Sequence, residues 1–243
     1  MNTTSPTGPA TLEGRATLVT GGSRGIGLAI AAAIVARGGR AAVTGRDVTN
    51  LDRARERLGD SLLTIQADVR DPEAATRAVD ETVERFGALD VLVNNAGVGK
   101  FASVSDMSVA DWQSIIDTNL SGVFYCCHAA LPHLRRRGGG WIINISSLAA
   151  KNAFVGGAAY CASKAGLNQF SEALMQEVRH DDIRVSCIMP GSVATGFGGR
   201  DAADVAPWKI QPEDVGQVVV DLLLMPPRSL PSRVELRPSK PPK

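Results

Sequence analysis

Cysteine and histidine, the side chains most often used to hold structural zinc, are scarce in this sequence. Its 243 residues include four cysteines and three histidines. Cys126 and Cys127 are adjacent, Cys161 and Cys187 stand apart, and no pair has the C-x-x-C spacing of a zinc site or suits a disulfide framework. The histidines form no ligand spacing either. We therefore expect no metal site, and thiols that serve as small apolar core residues.

Long apolar runs and an excess of charge of one sign are also missing. No apolar run approaches the ~20 residues of a membrane span, and the N-terminus lacks the charged start and hydrophobic centre of a secretory signal. Lys and Arg number 26 against 25 Asp and Glu, which gives a formal net charge of +1 and no basic field for nucleic acid. These absences predict a cytoplasmic protein that binds a small molecule rather than a membrane or a nucleic acid.

Short apolar segments alternate with helical patterns along the chain, which is typical of a parallel sheet with helices packed against it. The expected strands cover residues 16–20, 40–44, 62–67, 91–93, 141–147, 184–189 and 233–237. The expected helices after the first include residues 48–58, 71–86, 110–137, 160–178 and 212–225. The length suits one α/β domain over residues 14–237, with a flexible lead-in at 1–13 and a flexible tail at 238–243.

A glycine-rich turn follows the first expected strand. Residues 20–27 read TGGSRGIG and lead into an alanine-rich helix. A strand, a glycine turn and a helix place bare backbone N–H groups and a helix N-terminus around a phosphate. The spacing differs from the usual G-x-G-x-x-G dinucleotide fingerprint, and an ordinary tight turn is the alternative. The candidate cofactor-binding residues here are Gly21, Ser23, Arg24, Gly25, Ile26 and Gly27.

The residues after the second strand bear on which dinucleotide is bound. An acidic side chain at this strand tip accepts hydrogen bonds from a free ribose 2′-hydroxyl, whereas Gly45 cannot, and Arg46 suits a 2′-phosphate. Arg24 adds a second positive charge. The pattern favours NADP over NAD, although Asp47 directly beside Arg46 leaves NAD open.

Tyr160 and Lys164 are four residues apart in an expected helix and therefore share one face. A nearby ammonium favours the phenolate and lowers a phenol pKa that is otherwise near ~10, which makes acid–base work at neutral pH feasible. The alternative is a lysine lying along a half-buried ring. Ser146 and Ser147 follow a buried strand, and ligands bind beyond the carboxyl ends of parallel strands. Either serine is a candidate to hold a substrate atom with Tyr160, or both merely form a turn.

Together these segments resemble the short-chain dehydrogenase/reductase family in its single-domain form, over about residues 14–237. The resemblance rests on residues 20–27, on Asp68-Val69, on N-N-A-G at 94–97 and on P-G-x-x-x-T at 190–195. It implies a Rossmann-type, doubly wound parallel sheet of about seven strands with helices on both faces. The resemblance also implies a catalytic tetrad of Asn119, Ser147, Tyr160 and Lys164, and so selects Ser147 over Ser146. The further cofactor contacts that it implies are Arg46, Asp68, Val69, Asn95, Ala96, Gly97, Tyr160, Lys164, Pro190, Gly191, Val193 and Thr195.

The activity that the resemblance implies is hydride transfer between NADP(H) and a carbonyl or secondary alcohol, such as a ketone, an aldehyde or a 3-oxoacyl thioester. Ser147 and Tyr160 would hold the carbonyl and Tyr160 would supply the proton. Lys164 would lower the pKa of Tyr160 and contact the nicotinamide ribose, and Asn119 would help to hold a water. The resemblance further implies a homodimer or homotetramer paired through the helices at 110–137 and 160–178.

The sequence departs from the family pattern near its C-terminus. The segment after Thr195 is short, and the chain lacks the glycine-rich tail of many members. We therefore expect an open, largely apolar substrate pocket whose contacts come from Leu148, Phe154, Val155, Phe197 and Trp208, with Lys100 at its rim. Two other functions stay open: an NADP(H)-sensing binding protein without turnover, against which the tetrad argues, and an epimerase or dehydratase of nucleotide sugars, for which the C-terminal part is short.

Overall fold

The computed structural model describes residues 11–199 and 206–241. Predictions for residues 1–10 of the lead-in, for 200–205 after Thr195 and for 242–243 of the tail lie outside the described residues. Leu12 is 1% exposed, and its N–H donates to the Arg37 carbonyl at 2.9 Å. Packed structure therefore begins inside the stretch predicted to be flexible, because Leu12 joins the same apolar cluster as Ile34.

The strands form one fully parallel sheet. They are β1 Ala16–Val19, β2 Arg40–Gly45, β3 Leu62–Gln66, β4 Val91–Asn94, β5 Gly140–Ile145, β6 Ile183–Pro190 and β7 Arg233–Leu236. Their order in the seven-stranded sheet is β3-β2-β1-β4-β5-β6-β7. Strands β1 and β4 are buried along their whole length, as expected for apolar runs covered by helices on both faces. The order reverses between β1 and β4, so a crevice opens beyond their carboxyl ends.

Seven α-helices of the described residues cover the two faces of the sheet. They are α1 Gly25–Val35, α2 Val48–Leu58, α3 Pro72–Phe86, α4 Val109–Ile116, α5 Gly122–Arg137, α6 Ala158–Val178 and α7 Pro212–Leu223. Helices α1, α2 and α7 contribute Ile30, Leu51 and Val219 to the apolar cluster on one face. Helices α3, α5 and α6 contribute to the cluster on the other face, with Val79 and Leu174 among its members. The doubly wound arrangement is the predicted one.

The single helix predicted over residues 110–137 is interrupted. Helix α4 ends at Ile116, a π-helical turn spans Asp117–Ser121, and α5 starts at Gly122. A π turn adds a residue to the helical repeat and so changes the direction of the side chains around it. Here it accompanies an inward-pointing Asn119 and the close contact of Gly122 with Val69, whose carbonyl oxygen would lie 2.9 Å from a Cβ at Gly122.

All four cysteines are free and buried, as predicted for apolar core residues. Burial raises the pKa of the Cys126 thiol to about 12, and it raises the pKa values of Cys127 and Cys187 as well. Within residues 11–199 and 206–241, no helix has the length and apolar character needed to cross a membrane.

Candidate active site

A cleft of about 1400 Å³ runs along the carboxyl ends of the strands. Its first half lies over β1 to β4 and its second half over β5 to β7. The predicted site residues that line it are Gly21, Ser23, Arg24, Gly25, Ile26, Arg46, Asp68, Val69, Asn95, Ala96, Gly97, Ser147, Tyr160, Lys164, Pro190, Gly191, Val193 and Thr195. Two predicted residues, Gly27 and Asn119, do not line the cleft and are buried. One cleft therefore joins residues from every motif of the sequence.

Close backbone approaches shape the turn between β1 and α1. Gly21 has a φ of +61°, and a Cβ there would lie 2.8 Å from Cα of Ala96. A Cβ at Gly27 would lie 2.5 Å from the Gly21 carbonyl oxygen and would also meet the Asn95 amide. Only glycine fits these two positions without a shift of the backbone. The Asn95 amide donates to the carbonyls of Thr20 and Gly21 at 3.0 Å each, so it ties the end of β4 to the glycine turn.

Two exposed arginines lie at the β2 side of the cleft. Arg46 follows β2 directly, and Arg24 is the N-cap residue of α1. Asp47 is the N-cap residue of α2, where its Oδ1 accepts a hydrogen bond from the Thr49 N–H at 2.9 Å, so its carboxylate is directed to the helix backbone. A Cβ at Gly45 would lie 3.0 Å from Oγ of Ser23, which leaves no room for an acidic side chain unless Ser23 moves.

Asp68 lies at the end of the segment that follows β3. Arg70 Nη2 donates to its Oδ2 at 2.6 Å, and this hydrogen bond is the main reason that the pKa of Asp68 lies below its usual value. The Arg46 guanidinium lowers the same pKa through its charge. Arg46 and Asp68 therefore face the same part of the cleft.

Ser147, Tyr160 and Lys164 come together at the centre of the cleft. Ser147 follows β5, and its hydroxyl accepts from the Ala149 N–H at 3.1 Å. The same hydroxyl lies near enough to the Tyr160 phenol to lower its pKa. Lys164 is 4% exposed, lies one turn after Tyr160 on α6, and places Nζ 5.9 Å from the centre of the tyrosine ring. The neighbouring Ser146 is directed elsewhere, because its hydroxyl donates to the Lys164 carbonyl at 3.3 Å.

The pKa values of this group differ from the sequence-based expectation. The sequence predicted a lowered pKa for Tyr160, and the net shift is in the other direction: burial raises the phenol pKa, and Ser147 offsets the rise only in part. Burial also lowers the pKa of Lys164 to about 8, and its ammonium donates to the Ile145 carbonyl at 2.9 Å. Tyr160 is consequently a protonated phenol, able to donate, at neutral pH.

Asn119 is fully buried next to this group and has a partner for each part of its amide. Its Oδ1 accepts from the Val98 N–H at 2.8 Å, and its Nδ2 donates to the Val98 carbonyl at 2.9 Å and to Ser163 Oγ at 3.0 Å. Both Asn119 Oδ1 and Lys164 Nζ approach Gly97, at 3.4 and 3.7 Å from a Cβ built there. The π turn thus lets one amide link the strand β4 exit to helix α6.

Aromatic side chains surround the Tyr160 ring on the cleft side. Phe101 contacts it edge to face at a centroid distance of 5.8 Å, and Phe197 lies at 5.6 Å. Phe154 lies 5.6 Å from Phe101. The second half of the cleft is therefore apolar near the reactive hydroxyls.

The predicted substrate contacts divide into two sets. Leu148, Phe154, Phe197 and Trp208 line the cleft, whereas Val155 and Lys100 do not. Val155 is fully exposed, and Lys100 pairs with Asp111 on α4 at 2.6 Å, which turns its ammonium away. Sequence reasoning missed Phe101 and Arg237, which both line the cleft. Their place in the sequence could have identified them, because Phe101 comes shortly after β4 and Arg237 directly follows β7, at the sheet edge where ligands bind.

The comparisons with known proteins agree with this architecture. A profile of the family described as "short chain dehydrogenase" matches residues 15–205. Sepiapterin reductase of Chlorobaculum tepidum is 34% identical over 91% of this chain and 95% of its own length. A metagenomic short-chain oxidoreductase in complex with NADP is 36% identical, with a TM-score of 0.83 over 95% of this chain and 99% of that chain.

A second solved structure is similar at the level of the whole fold. The alcohol dehydrogenase of the archaeon Thermococcus sibiricus, complexed with 5-hydroxy-NADP, is 28% identical, with a TM-score of 0.85 over 94% of this chain and 99% of that chain. The profile match spans most of the chain, and the likenesses in sequence and fold cover nearly all of it. The chain belongs to the short-chain dehydrogenase/reductase family of oxidoreductases.

Proposed function

We propose that this protein is an NADP(H)-dependent oxidoreductase that interconverts a carbonyl and a secondary alcohol. The observation that carries the proposal is the meeting of Ser147, Tyr160 and Lys164 in the same cleft as the glycine turn. Two hydroxyls in one cleft beside a buried ammonium suit a carbonyl oxygen that gains negative charge during reduction. In this proposal residues 14–237 act as one catalytic domain.

The first half of the cleft fits a dinucleotide. At Gly21 and Gly27 any Cβ would meet backbone atoms, so the turn stays narrow. The N–H groups of Gly21 and Gly22 bond to Thr44, and the first turn of α1 supplies the N–H groups that have no partner within the helix. The backbone and side chains at Asp68, Val69, Asn95, Ala96 and Gly97 continue this half toward β4. Pro190, Gly191, Val193 and Thr195 would hold the nicotinamide end, next to Tyr160 and Lys164. When bound, the nicotinamide gives or accepts the hydride.

Charge at the tip of β2 supports a preference for NADP(H). The guanidinium groups of Arg24 and Arg46 are exposed at this end of the cleft and suit a 2′-phosphate. The Asp47 carboxylate, which left NAD open in the sequence, is used as the N-cap of α2. A side chain at position 45 would crowd Ser23, whose Oγ would lie 3.0 Å from the new Cβ. The NADP named in the two solved relatives supports the same preference.

In the proposed reduction, the chain handles the carbonyl oxygen and the proton. Ser147 and Tyr160 donate hydrogen bonds to the oxygen, and Tyr160 transfers its proton to that oxygen as the carbonyl carbon receives the hydride. The raised pKa of Tyr160 keeps this proton in place at neutral pH before the reaction. Lys164 stabilises the tyrosinate that results, because its ammonium is one helical turn away. Asn119 is a positioning residue, because its amide hydrogen-bonds to Val98 and Ser163 and so holds both next to Lys164.

The apolar walls of the second half favour ketones and aldehydes with hydrocarbon or aromatic groups. Phe101, Phe154, Leu148 and Trp208 all line this half. Apolar surface of this kind contributes about 25 cal/mol per Å² buried. We include 3-oxoacyl thioesters among the candidate substrates, with the broader carbonyl-reductase activity preferred.

Assembly into a homodimer or homotetramer is part of the proposal. Helices α5 and α6 present Leu120, Phe124, Tyr125 and Phe170 around one surface groove, and Phe124 is 50% exposed. Burial of this ring against a second copy would remove it from water. Light scattering coupled to size-exclusion chromatography measures the oligomeric state. Phe124→Glu should give a monomer, because it places a charge in the apolar contact.

The test of the function is the initial rate of NADPH oxidation, and separately of NADH oxidation, with ketones, aldehydes, quinones and a 3-oxoacyl thioester. We expect turnover with NADPH well above NADH. Arg46→Gln should reduce the ratio of NADPH to NADH efficiency by about 10- to 100-fold, the worth of a charged hydrogen bond. Arg53→Gln, an exposed arginine on α2 that does not line the cleft, is the matched control. Tight NADPH binding without turnover of any carbonyl would instead favour the sensor function.

A further inference from the structure

Among the described residues, the second half of the cleft contains one cationic side chain that the proposed chemistry does not use. Arg237 follows β7 and lines the cleft. The charged residues Arg24, Arg46, Asp47 and Asp68 lie over β1 to β4, and Lys164 belongs to the catalytic group. Of the described residues, none that lines the second half carries a carboxylate.

The fold holds the backbone at Arg237 near the segment that follows the catalytic serine. The Gly191 N–H donates to the Leu236 carbonyl at 2.8 Å. A Cβ built at Gly191 would lie 3.0 Å from Cδ of Pro238 and 3.2 Å from Cδ1 of Leu148. Leu148 comes directly after Ser147, and Pro238 comes directly after Arg237. The backbone at Arg237 therefore lies in the wall over β5 to β7, and not at the end of the cleft near Arg46.

The charge of Arg237 is only partly compensated. Its Nε and Nη2 both donate to Oε2 of Glu235, at 3.2 and 2.7 Å. The other oxygen of Glu235, Oε1, accepts from Lys151, and this lysine is the main reason for the lowered pKa of Glu235. Two cations thus share one carboxylate, which leaves a net positive charge. Arg237 is also half exposed, and its Nη1 forms no hydrogen bond within the described part of the chain.

We propose that Arg237 is a specificity-determining residue that binds an anionic group of the substrate, such as a carboxylate, while Ser147 and Tyr160 bind its carbonyl. The inference rests on the reductase function proposed above. The end of the guanidinium, formed by Nη1 and by the second N–H of Nη2, presents parallel N–H groups, the geometry that a carboxylate accepts. Glu235, held by Lys151, fixes the arginine side chain through the neighbouring edge formed by Nε and Nη2. The preferred substrate class is therefore an oxo acid with an apolar body.

The test compares phenyl-substituted oxo acids, with two to four methylene groups between ketone and carboxylate, with their methyl esters. Initial rates of NADPH oxidation give kcat/KM for each acid and ester with the wild type, Arg237→Gln and Arg233→Gln. Arg233 is the matched control, because it is the first residue of the strand that Arg237 follows, is half exposed, pairs with Glu172 at 3.0 Å and does not line the cleft.

We expect the wild type to prefer at least one acid over its ester by about 10-fold or more. Arg237→Gln should lower kcat/KM for that acid by about 10- to 100-fold, the range of a hydrogen bond between charged groups, and leave the ester unchanged. Arg233→Gln should change neither. Equal losses for acid and ester, no preference for any acid, or a raised KM for NADPH in place of the substrate effect would overturn the proposal.

Failure of the reductase function itself is distinguishable. If the wild type turns over neither acids nor esters, the proposed reductase function fails for these ketones. Calorimetric titration of the same oxo acids into NADPH-loaded protein then decides the role of Arg237. Binding by the wild type that Arg237→Gln loses supports an anion site, and no binding, or equal binding by both proteins, overturns it.

Discussion

At the scale of single residues, the site depends on a few side chains whose surroundings set their chemistry. Tyr160 keeps its proton because burial disfavours the phenolate, and Lys164 has a pKa of about 8 because its ammonium is removed from water. Ser147 partly offsets the effect on Tyr160 by hydrogen bonding. In the proposed mechanism these residues divide the work of holding the carbonyl oxygen, donating the proton and stabilising the tyrosinate.

Tyr160→Phe removes the proton donor and keeps the ring. We expect turnover to fall by about 10²- to 10⁴-fold, the usual contribution of general acid catalysis, with the affinity for NADPH nearly unchanged. The measurement is kcat by NADPH oxidation together with Kd by fluorescence titration. Tyr125→Phe is the matched control, since Tyr125 is the other tyrosine of the chain and lies on α5 outside the cleft. A near-normal rate in Tyr160→Phe would remove the tyrosine from the mechanism.

Gly27→Ala tests the dinucleotide loop without changing any charge. The new Cβ would meet the Gly21 carbonyl oxygen at 2.5 Å and the Asn95 amide, so the turn must move. Overpacking of this kind costs about 1–3 kcal/mol, and we expect NADPH binding to weaken by about 10-fold or more. Gly166→Ala on α6 is the control, because its Cβ would meet only the end of the Leu120 side chain, at 3.2 Å. Unchanged NADPH affinity in Gly27→Ala would mean that this turn is not the binding loop.

Many of the residues that line the cleft could be predicted from the sequence. The properties and residues that were not predicted were missed for physical reasons. The spacing of Tyr160 and Lys164 on one helix placed them correctly at one site. The direction of the Tyr160 pKa was wrong, because spacing gives the distance between two groups and says nothing of their burial. Arg237 was missed because its nearness to Ser147 depends on β6 and β7 lying side by side, which no local pattern records.

At the scale of secondary structure, the π turn at Asp117–Ser121 is the element that matters most for the site. It separates α4 from α5 and accompanies the inward direction of the Asn119 amide. The sequence predicted one continuous helix, since a single inserted residue leaves the apolar pattern of a helix almost unchanged. Asn119 was the one residue that pointed to an irregular segment, because a buried amide within a helix needs specific partners. Its amide makes three hydrogen bonds.

Asn119→Ala should destabilise the protein by about 2–4 kcal/mol. It leaves the N–H and carbonyl of Val98 and the Ser163 hydroxyl without their partner, and unpaired buried polar groups are costly. Urea denaturation at constant slope measures the change. Gln113→Ala, an exposed residue of α4 that bonds to Asp117, should cost no more than about 0.5 kcal/mol. Equal effects of the two substitutions would contradict the structural role of Asn119.

At the scale of the whole molecule, one parallel sheet with helices on both faces brings separate sequence motifs to a common edge. The alternation of strands and helices predicted this arrangement, because parallel strands need helical crossovers and buried strands are apolar throughout. Strand and helix ends were displaced by a residue or two in several elements, such as β6, which begins at Ile183 and ends at Pro190. The apolar pattern defines the buried face, and hydrogen bonds at the ends decide where each element stops.

The buried thiols predict a loss of stability in alkali. Cys126, Cys127 and Cys187 have raised pKa values, with Cys126 at about 12, so above pH ~9 the unfolded chain releases protons that the folded chain keeps. The stability present below pH ~9 is therefore lost as pH rises, by about 1.4 kcal/mol per pH unit for each thiol. Lys164 acts in the opposite direction, because its lowered pKa makes the unfolding free energy rise between about pH 8 and its unfolded pKa. It is one group against the three thiols and Tyr160, whose raised pKa acts in the same direction as theirs.

Denaturation of the wild type and of Cys126→Ala between pH 8 and 11 tests this linkage. The variant has a cavity and is less stable at every pH, so the slope is the informative quantity. We expect the slope of the unfolding free energy against pH to be flatter in Cys126→Ala by about 1.4 kcal/mol per pH unit above pH ~9.5. Identical slopes would show that this thiol is accessible to solvent in the folded protein.

The central claim, that this cleft transfers hydride to a carbonyl carbon, is tested most directly by following the hydride itself. Purified protein is incubated with NADPH deuterated on either face of nicotinamide C4 and a ketone that it consumes. The account predicts that one of the two labelled cofactors delivers deuterium to the carbinol carbon, seen by mass spectrometry, and that Tyr160→Phe makes almost no labelled alcohol. NADPH consumed without any label in the alcohol, or bound tightly with no alcohol formed from any carbonyl offered, would contradict it.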